Sequence, residues 1–173
     1  NATCRKALCE FIQFKKKSIK FHKLILYFSN TGNTERIAKL IANRTGGDLY
    51  HILPEIPYTS KDLDWNIPNS RANLEQNDQA SRPPYQGQLP DLGKYDTIII
   101  GHPIWWGVPP RIIYTVIDDL NFSGKQVATY ATSGGSTYSQ SQDVMDALIG
   151  KGVKRGQVLS GAASVDNWLK MIN

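Results

Sequence analysis

The chain is poor in the residues that build metal centres, disulfide scaffolds and membrane spans. It has two cysteines in 173 residues, Cys4 and Cys9, and three scattered histidines, His22, His51 and His102. Two cysteines five apart are too few for a disulfide framework or a zinc site, and a reducing cytoplasm is the expected compartment. No apolar run approaches the roughly 18 residues that a membrane-spanning helix requires, so no stable membrane anchor is expected. Internal repeats are missing, as is any grouping of Ser, His and Asp that would mark a nucleophile. The formal net charge of +5 is not spread over the chain. Residues 1–23 hold seven of the 20 Lys and Arg against Glu10 alone, which leaves 13 basic and 14 acidic residues in 24–173. A near-neutral domain argues against nucleic acid as a partner.

What is there is alternation. The short bulky runs Leu24–Phe28, Asp48–Leu53, Thr97–Ile100 and Gln126–Ala131 read as strands, with a fifth near Gln157–Gly161. Between them lie segments of helical period. Thr34–Arg44 carries Ile37, Ala38, Leu40 and Ile41 on one face; Pro109–Leu120 carries Ile112, Ile113, Val116, Ile117 and Leu120. Ser139–Ile149 follows with Val144, Ala147 and Leu148, and a last short helix surrounds Val165, Trp168 and Leu169. Strands alternating with helices predict an α/β fold with a parallel sheet. The expected organisation is a basic extension, residues 1–20, and one domain, residues 21–173.

The most informative segment is Ser29, Asn30, Thr31, Gly32, Asn33 and Thr34, where the first strand turns into the first helix. A helix start leaves backbone N–H groups unpaired and carries partial positive charge, so it receives an anion without a cation. The terminus contributes about 1 kcal/mol, whereas each hydrogen bond to a charged group contributes roughly 1.5–3 kcal/mol. The hydroxyls of Ser29, Thr31 and Thr34 therefore matter more than the dipole, and Gly32 is expected to let the backbone approach without a Cβ in the way. The loop has no Lys or Arg, unlike a nucleoside-triphosphate loop, and no spaced glycines, unlike a dinucleotide fingerprint. The expected ligand ends in a phosphomonoester.

The string S-N-T-G-N-T after a first strand resembles the flavodoxin phosphate loop, [ST]-x-T-G-x-T. That resemblance spans roughly residues 23–173. It implies a doubly wound five-stranded parallel sheet of order 2-1-3-4-5 in three α/β/α layers, with FMN bound beyond the carboxyl ends of the strands. Two more loops fall there. Gly101, His102, Pro103, Ile104, Trp105, Trp106 and Gly107 follow the third strand, and either Trp105 or Trp106 is expected against the flat flavin ring, with backbone amides free at its polar edge. His102 is read as a packing residue in preference to one that tunes the flavin. Thr132, Ser133, Gly134 and Gly135 follow the fourth strand, where the glycines would permit unusual backbone angles and close approach. Tyr138 is similar to the aromatic that stacks on the outer ring face in the family.

Residues 54–92 hold six of the nine prolines and almost no periodicity, where a second helix belongs. Asn69 or Ser70 could cap a brief helix through Leu74 and Glu75. The strings Y-T-S-K-D-L-D-W and S-R-A-N-L-E-Q-N-D, with R-P beyond, resemble a short-chain bacterial subgroup of flavodoxin-like proteins, in which this segment wraps the sheet. Tyr58 or Trp65 near the cofactor or a partner surface is one reading, with Glu75 and Arg82 paired to pin the loop; simple anchoring of a crossover is the other. Cys4, Leu8, Phe11 and Ile12 share a helical face in the extension, which is expected to dock as a helix on its own or a neighbouring chain. Its apolar run is too short and too charged for a cleaved signal.

The resemblance implies an electron carrier that exchanges electrons with redox partner proteins, a flavoprotein reductase or an acceptor. The alternative is an NAD(P)H-dependent quinone or flavin reductase using bound FMN. A monomer or weak homodimer is expected. The near-neutral domain departs from the acidic balance usual in electron-carrying flavodoxins. A near-neutral site would disfavour an anionic reduced flavin, as would Asp118 or Asp119 if they face it.

Overall fold

The structure, a computed structural model, describes residues 22–173. The expected extension, with Cys4, Leu8, Phe11 and Ile12, lies outside the described residues. Five strands form one parallel sheet in the order β2-β1-β3-β4-β5. They are β1 (Lys23–Tyr27), β2 (Asp48–His51), β3 (Thr97–Pro103), β4 (Gln126–Thr132) and β5 (Gln157–Val158). The central strands are buried along nearly their whole length because both faces of the sheet are covered. In β1, Leu24 and Leu26 enter one core while Ile25 and Tyr27 enter the other, and in β3 Ile98 and Ile100 oppose Ile99 in the same way.

One face is closed by α1 (Asn33–Thr45) and α5 (Ala162–Ile172). Ile37, Ala38 and Ile41 of α1 and Val165, Trp168, Leu169 and Ile172 of α5 are buried there against Ile25, Ile99 and Tyr130. Each such large side chain contributes roughly 1.5–3 kcal/mol by leaving water. On the other face lie α3 (Arg111–Asp119), with Ile112, Ile113, Val116 and Ile117, and α4 (Ser139–Leu148), with Met145. Helix α3 opens two residues later than Pro109. A residue preceding proline is driven to extended backbone, and Pro110, the N-cap, is itself extended at φ −55° and ψ 146°. Strand β2 stops before Leu53, whose carbonyl accepts from Gln86 N at 2.8 Å as the chain leaves the sheet edge.

Residues 54–92 do wrap the sheet, with one short helix, α2 (Arg71–Gln76). Ser70 caps it, its hydroxyl accepting from Asn73 N at 3.4 Å. Side chains satisfy the irregular backbone around it. Asn73 Nδ2 donates to the carbonyls of Trp65 and Ile67 at 3.1 and 2.7 Å, and Arg71 Nη1 donates to Ile56 O at 2.6 Å. Buried Gln76 reaches furthest: Nε2 donates to Trp105 O at 2.9 Å and Pro109 O at 3.2 Å, while Oε1 accepts from Arg111 N at 3.1 Å. The expected Glu75–Arg82 pair is not formed. Helical spacing sets Arg71 beside Glu75 at 3.2 Å, Tyr58 donates to the same carboxylate, and Arg82, past the helix end, pairs with Asp118 at 2.7 Å.

Candidate functional site

A cleft of about 390 Å³ opens at the carboxyl ends of β1, β3 and β4. Asn30, Thr31, Asn33 and Thr34 line it from the first loop, Pro103, Ile104 and Trp105 from the third, and Thr132, Ser133 and Gly134 from the fourth. Three sequence-distant loops thus meet in one concavity because a parallel sheet sends every strand end to the same edge. The lining is rich in hydroxyls and amides and contains no carboxylate.

Helix α1 begins without a side-chain cap. Its N-cap is Gly32 at φ 92° and ψ −7°, a left-handed conformation that a side chain makes costly. Backbone angle alone already requires a glycine here, and a Cβ would meet no protein atom within 4 Å, so the space in front of Gly32 is open. The Ser29 hydroxyl accepts from Gly32 N at 3.2 Å and holds the turn, so Ser29 braces the loop rather than lining the cleft. The first backbone N–H groups of α1 are left with no intrahelical acceptor, as at any helix start. Thr34 is buried, its hydroxyl 2.7 Å from that of Thr132, which ties the first loop to the fourth. Beneath it, the Tyr130 hydroxyl donates to Thr34 O at 3.0 Å.

The third loop separates the two tryptophans. Trp105 is half-buried and packs edge-on against Phe28 and Tyr58, at ring-centroid distances of 5.6 and 5.3 Å. Arg71 lies 3.8 Å over the opposite partner, Tyr58. Trp105 exchanges backbone hydrogen bonds with Val108 across a two-residue turn, Trp106-Gly107, in which both central residues have positive φ, 56° and 83°. That is the pattern of a type I′ turn, unusual for a bulky residue. It leaves Trp106 45% exposed. Trp106, Trp65 (71% exposed), Leu63, Ala72, Ile104 and Trp105 line a second depression, of about 340 Å³, beside the cleft.

The fourth loop differs from expectation in two respects. Gly134 and Gly135 do not adopt the unusual backbone angles expected of them: neither is left-handed, and the space around both is open. Tyr138 does not reach the cleft. It is 6% exposed at the start of α4, its hydroxyl lying between Thr129 Oγ1 and His102 Nε2, the latter at 3.2 Å. An aromatic ring six residues past the strand end is drawn under the loop by the core. His102 is fully buried, with Nδ1 2.8 Å from Pro103 O. Burial pushes its imidazole down to about 4, against the opposing pull of that carbonyl.

Four lining residues have no counterpart in the sequence reading: Arg36, Leu63, Leu159 and Ser160. Arg36 has a signal in the sequence, a basic residue two positions past the loop, in the first turn of α1 and on its exposed side. Asp118 and Asp119 close α3 at the end away from the cleft, paired with Arg82 and accepting from Tyr85 at 2.7 Å respectively. Among the described residues no cluster of His, Cys, Asp and Glu could hold a metal, and no helix is long and apolar enough to cross a membrane.

A sequence model of the flavodoxin family matches residues 22–173. A flavodoxin of Nostoc sp. is 26% identical over 153 residues, covering 83% of this chain and 71% of the relative. The crystal structure of a candidate flavoprotein from Bacteroides eggerthii superposes with a TM-score of 0.82 at 41% identity, over 87% of this chain and 97% of that one. A flavoprotein from Lactobacillus acidophilus, solved in complex with FMN, superposes with a TM-score of 0.68 at 25% identity, over 86% and 99% of the two chains.

Proposed function

The chain belongs to the flavodoxin family, and from that premise we propose that it holds FMN in the cleft and acts as an electron-transfer protein between redox partners. The observation that carries this reading is the uncapped start of α1, opening into a cleft lined by hydroxyls and amides and free of carboxylates. Thr31, Thr34, Asn30 and Asn33, with the free N–H groups of the helix, suit a terminal phosphate. Thr132, Ser133 and Gly134 suit the polar chain and ring edge, with donors and acceptors on hydroxyl and backbone. Ile104, Trp105 and, in the adjoining depression, Trp65 and Trp106 offer the apolar and aromatic surface that a flat ring needs. Bound FMN would supply the electron transfer; the chain binds it, orients it and excludes water. A cytoplasmic location belongs to the same proposal.

The test is a titration of the apoprotein with FMN and with riboflavin. FMN should bind much the tighter, and Thr34→Ala should weaken it by roughly 1.5–3 kcal/mol, tenfold to more than a hundredfold. Equal binding of the two flavins would remove the phosphate reading. A reductase remains the second reading because the open depression between Trp65 and Trp106 leaves aromatic surface for a planar acceptor such as a quinone. Steady NAD(P)H oxidation by the FMN-loaded protein with a quinone would favour it over the carrier.

A further inference from the structure

Charges around the start of α1 are sorted onto two sides. Glu35, in the first turn, is neutralised toward β2: Lys39 Nζ lies 2.9 Å from its carboxylate, the Tyr27 hydroxyl donates to it at 3.2 Å, and His51 Nδ1 lies at 3.4 Å. The Lys39 hydrogen bond holds the Glu35 carboxyl below its usual range. Arg36, the next residue, points the other way. Its Nη2 donates to Ser160 O at 3.1 Å, across the cleft rim in the loop after β5. That partner is a neutral carbonyl and uses one of five guanidinium N–H donors. Among the described residues the ion pairs join Lys39, Arg44, Arg71 and Arg82 to carboxylates, and none involves Arg36. Of the residues lining the cleft, Arg36 alone is charged.

We infer that Arg36 is the specificity-determining charge of this site, which makes the cleft prefer a ligand ending in a doubly charged phosphomonoester over the same ligand without it. The inference rests on the FMN reading and adds to it a cation that the loop Ser29–Thr34 lacks. Hydroxyls and backbone amides give the phosphate oriented hydrogen bonds, and an uncompensated guanidinium adds to them an attraction that grows with the charge of the group. The Ser160 contact holds the side chain at the rim before any ligand arrives, so less rotamer freedom is lost on binding. Because Arg36 is exposed, its attraction is screened by salt.

The experiment measures FMN and riboflavin affinities of the apoprotein at low and high salt for the wild type, Arg36→Gln, Arg36→Lys and Arg44→Gln. Arg44 is the control: it lies on the same helix, loses the same charge, and pairs with Asp166 away from the cleft. Arg36→Gln should lose roughly tenfold in FMN affinity and most of the salt dependence, with riboflavin unchanged. Arg36→Lys should recover most of the loss, and Arg44→Gln should stay within about twofold of the wild type. The inference is overturned if Arg36→Gln keeps the wild-type preference for FMN, if it weakens riboflavin equally, or if Arg44→Gln matches it. A wild type with no preference for FMN overturns the cofactor reading as well, so the two failures are distinguishable.

Discussion

Helix α1 starts at the cleft and α2 borders the adjoining depression through Ala72, and they treat their backbone donors in opposite ways. Helix α1 starts on Gly32 with no side-chain cap, in a loop whose own hydroxyl, Ser29, supports the turn behind it. Helix α2 is capped by Ser70, and Asn73, Gln76 and Arg71 of the same helix answer carbonyls of the surrounding chain. The regular unit leaves donors over, whereas the irregular crossover uses its own internally. A segment without a ladder of its own must be satisfied by side chains, and those side chains are then unavailable to a ligand. What the crossover contributes to the site is aromatic surface, Trp65, and the fixed position of the Trp105 loop through Gln76.

If donors used inside the fold are scaffold and donors left over are site, damage to the first should reduce stability while damage to the second reduces binding. The largest effect is expected from pH. His102 is neutral when folded, with its pKa at about 4, whereas an unfolded histidine titrates near 6.5. The unfolded state therefore binds the extra proton first as pH falls. Stability should be constant above about pH 6.5 and decline by about 3 kcal/mol as pH drops to about 4, read from urea midpoints. His102→Gln should flatten that part of the profile; an unchanged slope would mean that the ring is not what titrates. Next is Gln76→Ala, which removes the side-chain partner of the Pro109 carbonyl and the Arg111 amide and leaves the Trp105 carbonyl with Val108 N alone. It should lower unfolding stability by roughly 2–3 kcal/mol and shift tryptophan fluorescence as the Trp105 loop loosens. The smallest is Ser70→Ala, about 1 kcal/mol by loss of a helix cap, with flavin affinity unchanged. A flavin defect in Ser70→Ala would erase the distinction between the two helices.

Local features were legible in the chain. The apolar runs of β1, β3 and β4, the helical faces of α1, α3 and α5, and a helix cap at Asn69 or Ser70 each depend on residues within one or two turns of one another. Pairings across the fold were not. Glu75 and Arg82 looked complementary in sequence, yet helix spacing gave Glu75 to Arg71 and left Arg82 to Asp118. Tyr138 lay in the right loop for a ring contact, but an aromatic side chain with a buried hydroxyl partner on β4 is more stable under the loop than above it. Arg36 and Ser160 are 124 residues apart and meet only because β5 ends beside α1.

By itself the sequence determined that strands and helices alternate, that the turn at Ser29–Thr34 suits an anion, and that neither metal nor membrane span was to be expected. Those properties follow from spacing and residue chemistry, which act over short distances. Only the tertiary structure decided which groups remain free to act. It left the start of α1 uncapped, set Trp105 into an aromatic cluster and Trp106 at an exposed turn, and gave Glu35 its partners while leaving Arg36 without a carboxylate. The physical reason is that a donor or charge is defined by what neutralises it, and in this fold the neutralising groups come from elements distant in the chain.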